Sequence, residues 1–193
     1  MFRGLMSNPL SREFASDGPM VLIGAGVGMA PFRGFILNRL KNANCANKIW
    51  LIQGIRDSML DEIYRGELGA HESEIKKVVQ SRAKAPPVST DEPGVDENSD
   101  DDDKPAVVKD SRKAEKVAKY VQDEVRCQAD IVWFVANAVD GRIFVCGSTK
   151  GMGEGVESAL IDVAMDKGGL DYETAKQFWN GKKDGGQYIA ETW

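Results

Sequence analysis

The 193-residue sequence has little cysteine, one histidine and no long apolar run, and each shortage excludes a class of protein. The three cysteines, Cys45, Cys127 and Cys146, are odd in number and widely spaced. This spacing argues against a disulfide framework or a metal site and favours a reducing compartment. No segment approaches the roughly 18 apolar residues that a membrane helix needs, and the first ten residues lack a secretory apolar core. We therefore expect a cytoplasmic protein with no membrane partner.

Excess charge is also missing from most of the chain. The net charge of −5 is carried by residues 81–106, which hold eight acidic and three basic side chains together with four prolines. The remaining sequence is neutral, so its charge balance does not favour nucleic acid as a partner. Because residues 81–106 show no apolar periodicity, we expect a disordered acidic insertion, either a solvated spacer or an arm that docks a protein partner.

What the sequence does contain is a glycine-rich turn between a predicted strand and a predicted helix. A short apolar run is followed by glycine at positions 24, 26 and 28 and then by an amphipathic stretch. Glycines let a backbone approach a ligand closely, and the start of the following helix favours a phosphate, although a strand-to-helix turn needs glycine for steric reasons alone. Met29 replaces the third glycine of G-x-G-x-x-G, and no acidic residue follows about 20 positions on, which argues against an ordinary NAD site.

Apolar runs alternate with helical patterns along the rest of the chain. The predicted strands are 20–23, 48–53, 106–109, 142–146 and 187–191, and the predicted helices are 31–41, 58–80, 112–137, 151–167 and 171–181. Helical spacing within 112–137 predicts one packed face made of Val117, Tyr120, Val121, Val125 and Val132. Such alternation predicts βαβ units and a parallel sheet, with ligands at the carboxyl ends of the strands.

The residues at these strand ends resemble the NADP(H)-binding module of the ferredoxin–NADP reductase superfamily, most closely that of the diflavin reductases. The segments that carry the resemblance are GAGVGMAPFRGF (24–35), QGIRDSMLDEIYRGEL (53–68), SRKAEKVAKYVQD (111–123), VCGSTKGMGEGV (145–156) and the terminal ETW (191–193). The resemblance implies an α/β fold, with three layers around a five-stranded parallel sheet. This is the ferredoxin reductase-like C-terminal NADP-binding domain, expected over residues 20–193 after an N-terminal extension, 1–19. GGL at 168–170 and the terminal ETW look most like the NADPH-dependent diflavin reductases of cytosolic iron–sulfur protein assembly.

The resemblance assigns the first strand-end turn to the pyrophosphate of NADPH. The residues implied are Gly24, Gly26, Val27, Gly28 and Pro31. Val27 stands where relatives usually carry threonine, so one hydroxyl is missing. Arg56 follows the second strand and is expected to reach a phosphate, the alternative being an ordinary surface arginine.

The resemblance assigns the adenosine 2′-phosphate to a second group of residues. Ser111 and Arg112 match the family's Ser–Arg pair, and a hydroxyl with a guanidinium fork suits a dianionic phosphate. Tyr120 is expected to stack on adenine or to bond that phosphate, the alternative being a core residue on a helix face. Lys119 is expected to assist, with Lys113 and Lys116 as the other candidate lysines.

The resemblance assigns hydride transfer to the ends of the last two strands. Cys146, followed by Gly147 and Ser148, is expected near the nicotinamide, the alternative being a small buried hydrophobe. Glu191 is expected to stabilise positive charge on the nicotinamide, or else to be a polar residue of an edge strand. Trp193 is expected to stack on the flavin and to move away for the nicotinamide. His71, the sole histidine, is expected on the surface.

Together these features imply the NADPH-binding portion of a flavoprotein oxidoreductase, which passes hydride to FAD and electrons onward to an acceptor protein. The residues before Val21 are too few for an FAD-binding domain, so we expect the FAD to be bound mainly by a domain or partner chain outside this sequence, with FMN possible in the full-length relative. The alternative is a non-catalytic or truncated nucleotide-binding module that acts through protein partners.

Overall fold

The computed structural model describes residues 18–41, 48–57, 62, 64–82 and 118–193. Within these ranges the chain forms one sheet, whose strands are Met20–Ala25 (β1), Ile49–Ile55 (β2), Lys76–Gln80 (β3), Arg142–Gly147 (β4) and Tyr188–Thr192 (β5). The strand order is β3-β2-β1-β4-β5, and every neighbouring pair is parallel. The predicted five-stranded parallel sheet is therefore confirmed.

The helices of the described residues follow the strands and return the chain to the start of the sheet. They are Ala30–Lys41 (α1), Glu72–Ile75 (α2), Val121–Cys127 (α3), Ala129–Trp133 (α4), Glu154–Gly168 (α5) and Tyr172–Asp184 (α6). A π-helical turn, Phe134–Ala138, continues α4. Local sequence sets the ends of α5 and α6, because Gly169 closes α5 with a φ of +62° and the Asp171 carboxylate caps α6 at 2.9 Å from the Thr174 N–H.

Apolar side chains of β1 enter cores on both faces of the sheet. Val21 and Ile23 belong to the core that α3, α4, α5 and α6 cover, while Met20 and Leu22 belong to the core that α1 covers. A strand buried on both faces reads as a continuous apolar run, which is why β1 was evident in the sequence. The result is the expected three-layer α/β fold.

The third strand corrects one helix prediction. Residues 76–80 were assigned to a helix over 58–80, yet they form β3, which pairs in parallel with β2. Val79 is buried and the β-branched pair at 78–79 favours a strand, while Lys76 is accommodated because its ammonium lies 2.6 Å from Glu62 and 2.7 Å from Glu72. The strand predicted at 106–109 lies outside the described residues, and so does the acidic insertion apart from residues 81 and 82.

The helix predicted over 112–137 begins later within the described residues. Residues 118–120 are not helical, and α3 begins at Val121. Val121, Val125 and Val132 are buried as predicted, but Tyr120 is 46% exposed, so its assignment to the packed face is wrong. The reason is its position as the extended residue that precedes α3. Val117 lies outside the described residues.

The order of the strands creates a crevice at one edge of the sheet. From β1 the chain builds β2 and β3 on one side, and it later builds β4 and β5 on the other. The connections after β1 and β4 therefore diverge, and ligands of open α/β sheets bind at such a point.

His71 is exposed beside Glu74, which confirms its predicted surface position. None of the helices in the described ranges is long and apolar enough to cross a membrane.

Candidate functional site

A cleft of about 740 Å³ opens at the carboxyl edge of the sheet. Its walls come from the turn after β1, the ends of β2 and β3, the segment that leads into α3, and the turn Thr149–Gly153 after β4. The predicted site residues that line it are Gly26, Val27, Arg56, Lys119, Tyr120 and Ser148. Five separate stretches of sequence thus meet at one cavity. The turns after β1, β2 and β4 are among the strand ends at which the sequence analysis expected a ligand.

The turn after β1 is glycine-rich for two different reasons. Gly26 has a φ of +54°, a conformation that other residues rarely adopt, and it faces the cleft beside Val27, whose side chain is 69% exposed. Gly24 and Gly28 instead serve packing, because a Cβ on Gly28 would lie 2.1 Å from the Cys146 carbonyl oxygen. Gly24, Gly28 and Pro31 are not among the residues that line the cleft.

The charged side chains that line the cleft are cationic. Arg56 and Lys119 contribute cationic groups, and no aspartate or glutamate is found among the described residues that line it. The hydroxyl of Ser148 adds no charge and donates to the Lys150 carbonyl at 2.9 Å. Such a cavity suits a ligand that carries several negative charges.

The structure reveals a Ser–Arg pair that the sequence analysis missed. Ser81 and Arg82 follow β3 directly, and they extend its ladder, since the Ser81 N–H donates to the Ile55 carbonyl at 3.0 Å and the Arg82 N–H donates to the Arg56 carbonyl at 3.2 Å. Ser81 lines the cleft, and the backbones of Arg56 and Arg82 are neighbours. The sequence VVQ at 78–80, followed directly by Ser81 and Arg82, is the pattern that could have indicated this pair. It was missed because the segment was predicted to be helical. Ser111 and Arg112 lie outside the described residues, as do Lys113 and Lys116.

Lys119 and Tyr120 form the wall of the cleft that leads into α3. Tyr120 is extended (φ −128°, ψ 162°) and precedes the helix, and it is 46% exposed. The Lys119 ammonium lies 5.6 Å from the centre of the Tyr120 ring, within cation–π range. The core alternative for Tyr120 is thereby wrong, and an aromatic surface with an adjacent cation faces the cavity.

Cys146 and Glu191 are register partners on β4 and β5. Cys146 is 1% exposed, and its burial, together with the Glu191 carboxylate, raises the pKa of the thiol to about 11. The thiol is therefore neutral at physiological pH and is no nucleophile, in agreement with a positioning role. These two residues, with Gly147 and Trp193, lie outside the lining of the cleft, beyond the turn after β1.

Trp193 is held by its backbone although it is the last residue. Its N–H donates to the Gly147 carbonyl at 3.1 Å, and its carbonyl accepts from the Thr149 N–H at 2.8 Å. The indole itself is 62% exposed. A large aromatic side chain on a hydrogen-bonded backbone offers an exposed stacking surface.

The comparisons with known proteins agree with this geometry. The family model of the oxidoreductase NAD-binding domain matches residues 22–158. The chain is 43% identical over 177 residues to an uncharacterised FAD-binding protein of Schizosaccharomyces pombe, covering 92% of this chain and 26% of that protein. It is 30% identical over 162 residues to the sulfite reductase [NADPH] flavoprotein alpha-component of Zymomonas mobilis, covering 84% and 22%. It is 27% identical over 177 residues to the NADPH–cytochrome P450 reductase of Dictyostelium discoideum, covering 91% and 22%.

The chain therefore belongs to the family of oxidoreductase NAD-binding domains. Within that family it is a module of the diflavin reductase type. It spans about a quarter of the length of these three relatives. The finer resemblance to the reductases of iron–sulfur protein assembly stays a prediction.

Proposed function

We propose that this chain binds NADPH in the cleft and presents its nicotinamide to an FAD held by another domain or chain. The observation that carries the proposal is that two cationic side chains, Arg56 and Lys119, line the cavity. NADPH carries a pyrophosphate and a 2′-phosphate, and guanidinium and ammonium groups form the stronger, charge-assisted hydrogen bonds to such anions.

The preference for NADPH over NADH is proposed from the residues that follow β2 and β3. Nucleotide-binding sheets that select NAD place a carboxylate near the ribose 2′-hydroxyl, whereas those that select NADP place an arginine there. Here Arg56 follows β2, and Ser81 with Arg82 follows β3 beside it. We assign the 2′-phosphate to this corner, with Tyr120 against the adenine and the turn at Gly26 and Val27 against the pyrophosphate.

The nicotinamide end is proposed to lie toward β4 and β5. FAD, when its own domain holds it, supplies the acceptor for the hydride. On this chain, the buried and neutral Cys146 thiol would add no charge near the ring, and the Glu191 carboxylate would favour the positive charge that develops as hydride leaves. Trp193 would cover the face that the flavin occupies. Onward transfer to an acceptor protein and a cytoplasmic location are parts of the same proposal.

Calorimetric titration of the chain with NADPH and with NADH tests the nucleotide assignment. We expect NADPH to bind more tightly, and Arg82→Ala to weaken NADPH binding about tenfold, the loss of roughly one charge-assisted hydrogen bond, while NADH is unaffected. Arg112→Ala measures the competing assignment from the sequence. Equal affinity for both nucleotides would contradict the proposal and favour a non-catalytic module that acts through protein partners.

Reduction assays test the dependence on an outside flavin. We expect the chain with NADPH to reduce ferricyanide negligibly, because no residue of it accepts hydride in the proposed role. Addition of the FAD-bearing part of a relative should restore activity. Robust reduction by the chain alone would overturn this part of the proposal.

A further inference from the structure

Asp123 holds the backbone that carries Lys119 and Tyr120. Its Oδ2 accepts a hydrogen bond from the Tyr120 N–H at 3.0 Å and lies 3.3 Å from the Lys119 N–H, which also donates to it. Asp123 is the third residue of α3, and Tyr120 is the residue before that helix. A carboxylate that returns from the third helical position to the N-cap amide is one half of a capping box, and it fixes the angle at which the chain enters the helix.

The fixed backbone sets the direction of two side chains that face the cleft. Lys119 and Tyr120 both line the cavity, and the ammonium lies within cation–π distance of the ring. Because Tyr120 is extended and 46% exposed, no packing of its ring into the core holds it in place. The Tyr120 carbonyl accepts from the N–H groups of Asp123 and Glu124, at 3.0 and 3.2 Å. The hydrogen bonds described for the Lys119 and Tyr120 amides are those to the Asp123 carboxylate. A ligand would otherwise have to order the pair on binding, which weakens affinity.

We infer that Asp123 is a positioning residue for the adenosine end of the bound nucleotide. This inference rests on the proposed function, and Asp123 acts through two backbone amides, not by contact with the ligand. Its two properties oppose one another, since its acceptor oxygen orders Lys119 and Tyr120 while its negative charge repels a phosphate. Loss of the acceptor oxygen should weaken nucleotide binding, whereas loss of the negative charge should strengthen it. An experiment can therefore separate the positioning role from a simple effect of charge.

Two substitutions separate those properties. Asp123→Asn keeps an acceptor oxygen and removes the charge, so it should bind NADP⁺ at least as tightly as the unaltered chain. Asp123→Ala removes both, and it should bind NADP⁺ about fivefold more weakly, as expected for a lost cap. Asp162→Ala is the matched control, because Asp123 and Asp162 both form ion pairs with Arg126, at 3.8 and 2.7 Å. The control variant loses a carboxylate from Arg126 but leaves the hydrogen bonds of the Lys119 and Tyr120 amides in place. Its NADP⁺ affinity should not change.

Amide hydrogen exchange supplies a readout that needs no nucleotide. The amides of Lys119 and Tyr120 should exchange faster in Asp123→Ala and stay protected in Asp123→Asn. If the unaltered chain fails to prefer NADP⁺ over NAD⁺, the proposed function fails, whereas the exchange data still report on the restraint. Faster exchange with unchanged NADP⁺ affinity would overturn the inference, and so would an equal loss of affinity in the asparagine variant. Should the alanine variant fold poorly, the affinity of the asparagine variant decides alone.

Discussion

Gly28→Ala tests the contact that joins the turn after β1 to the end of β4. A Cβ at this position would lie 2.1 Å from the Cys146 carbonyl oxygen and 3.1 Å from the Gly147 nitrogen. Ordinary van der Waals contact begins at 3.4 Å, so the two backbones must separate by about 1 Å. The contacted atoms are backbone atoms, which cannot move aside as the end of a flexible side chain could. We expect a loss of about 3 kcal/mol in the free energy of unfolding, the upper end for overpacking, because both segments belong to hydrogen-bonded elements.

Urea denaturation measures this loss, and Gly34→Ala on α1 is its matched control. No atom lies within 4 Å of a Cβ built on Gly34, which is an exposed glycine inside a helix. The same substitution there should therefore raise the free energy of unfolding by about 0.5–1 kcal/mol. The two variants change the same atoms and should shift the denaturation midpoint in opposite directions. A Gly28→Ala protein as stable as the unaltered chain would refute the close approach of the two backbones.

Four further substitutions or measurements address single side chains. Val27→Thr should tighten NADPH binding by about 0.5–1.5 kcal/mol in calorimetry, since it restores a hydroxyl at an exposed position of the turn; unchanged affinity would show that this position does not reach the ligand. Gln53→Leu should raise the free energy of unfolding by about 1 kcal/mol, because Gln53 Oε1 is buried without a hydrogen-bond partner. Thermal denaturation measures this change, and a lower melting temperature would contradict the reasoning. In a chain with Cys45→Ser and Cys127→Ser, Cys146 should react with a disulfide reagent at pH 8 about a hundredfold more slowly than a thiol of pKa 9.0, because its pKa is raised to about 11. The same shift should cost stability as the pH rises from 9 toward 11, since the unfolded thiol ionises first.

Four of the five strands could be predicted because each contains a run of three or more apolar residues. β1 and β4 are buried on both faces, so the pattern VLI or IFVC needs no partner to be recognised. β3 begins with two lysines, and only its tertiary setting explains it. Lys76 is buried because Glu62 and Glu72 reach it from residues 14 and 4 positions away. In the sequence Lys76 reads as a polar residue, although its charge is paired in the folded protein. This is why β3 was predicted as part of an amphipathic helix.

Some residues of the cleft could be predicted because they directly follow a predicted strand, Lys119 and Tyr120 were expected from the resemblance alone, and Ser81 was missed because its strand was missed. Arg56 and Ser148 were found because β2 and β4 were found. Ser81 and Arg82 carry the same letters as Ser111 and Arg112, so composition could not choose between the pairs. The proposed choice of Ser81 and Arg82 rests on the bond from the Arg82 N–H to the Arg56 carbonyl, a contact that exists only in the folded sheet.

The position of β1 at the centre of the sheet explains how one nucleotide could contact two groups of residues that lie on opposite sides of this strand. Lys119, Tyr120 and Ser81 lie toward β2 and β3, whereas Cys146 and Glu191 are register partners on β4 and β5. The turn after β1 touches both sides, because its Gly26 faces the cleft and its Gly28 packs on the Cys146 carbonyl. Under the proposed function, binding energy gained by the phosphates at the cationic side fixes the orientation of the nicotinamide on the other, where no cation is needed. A change that weakens the adenosine end should therefore slow hydride transfer at limiting NADPH, although no residue near the nicotinamide has moved.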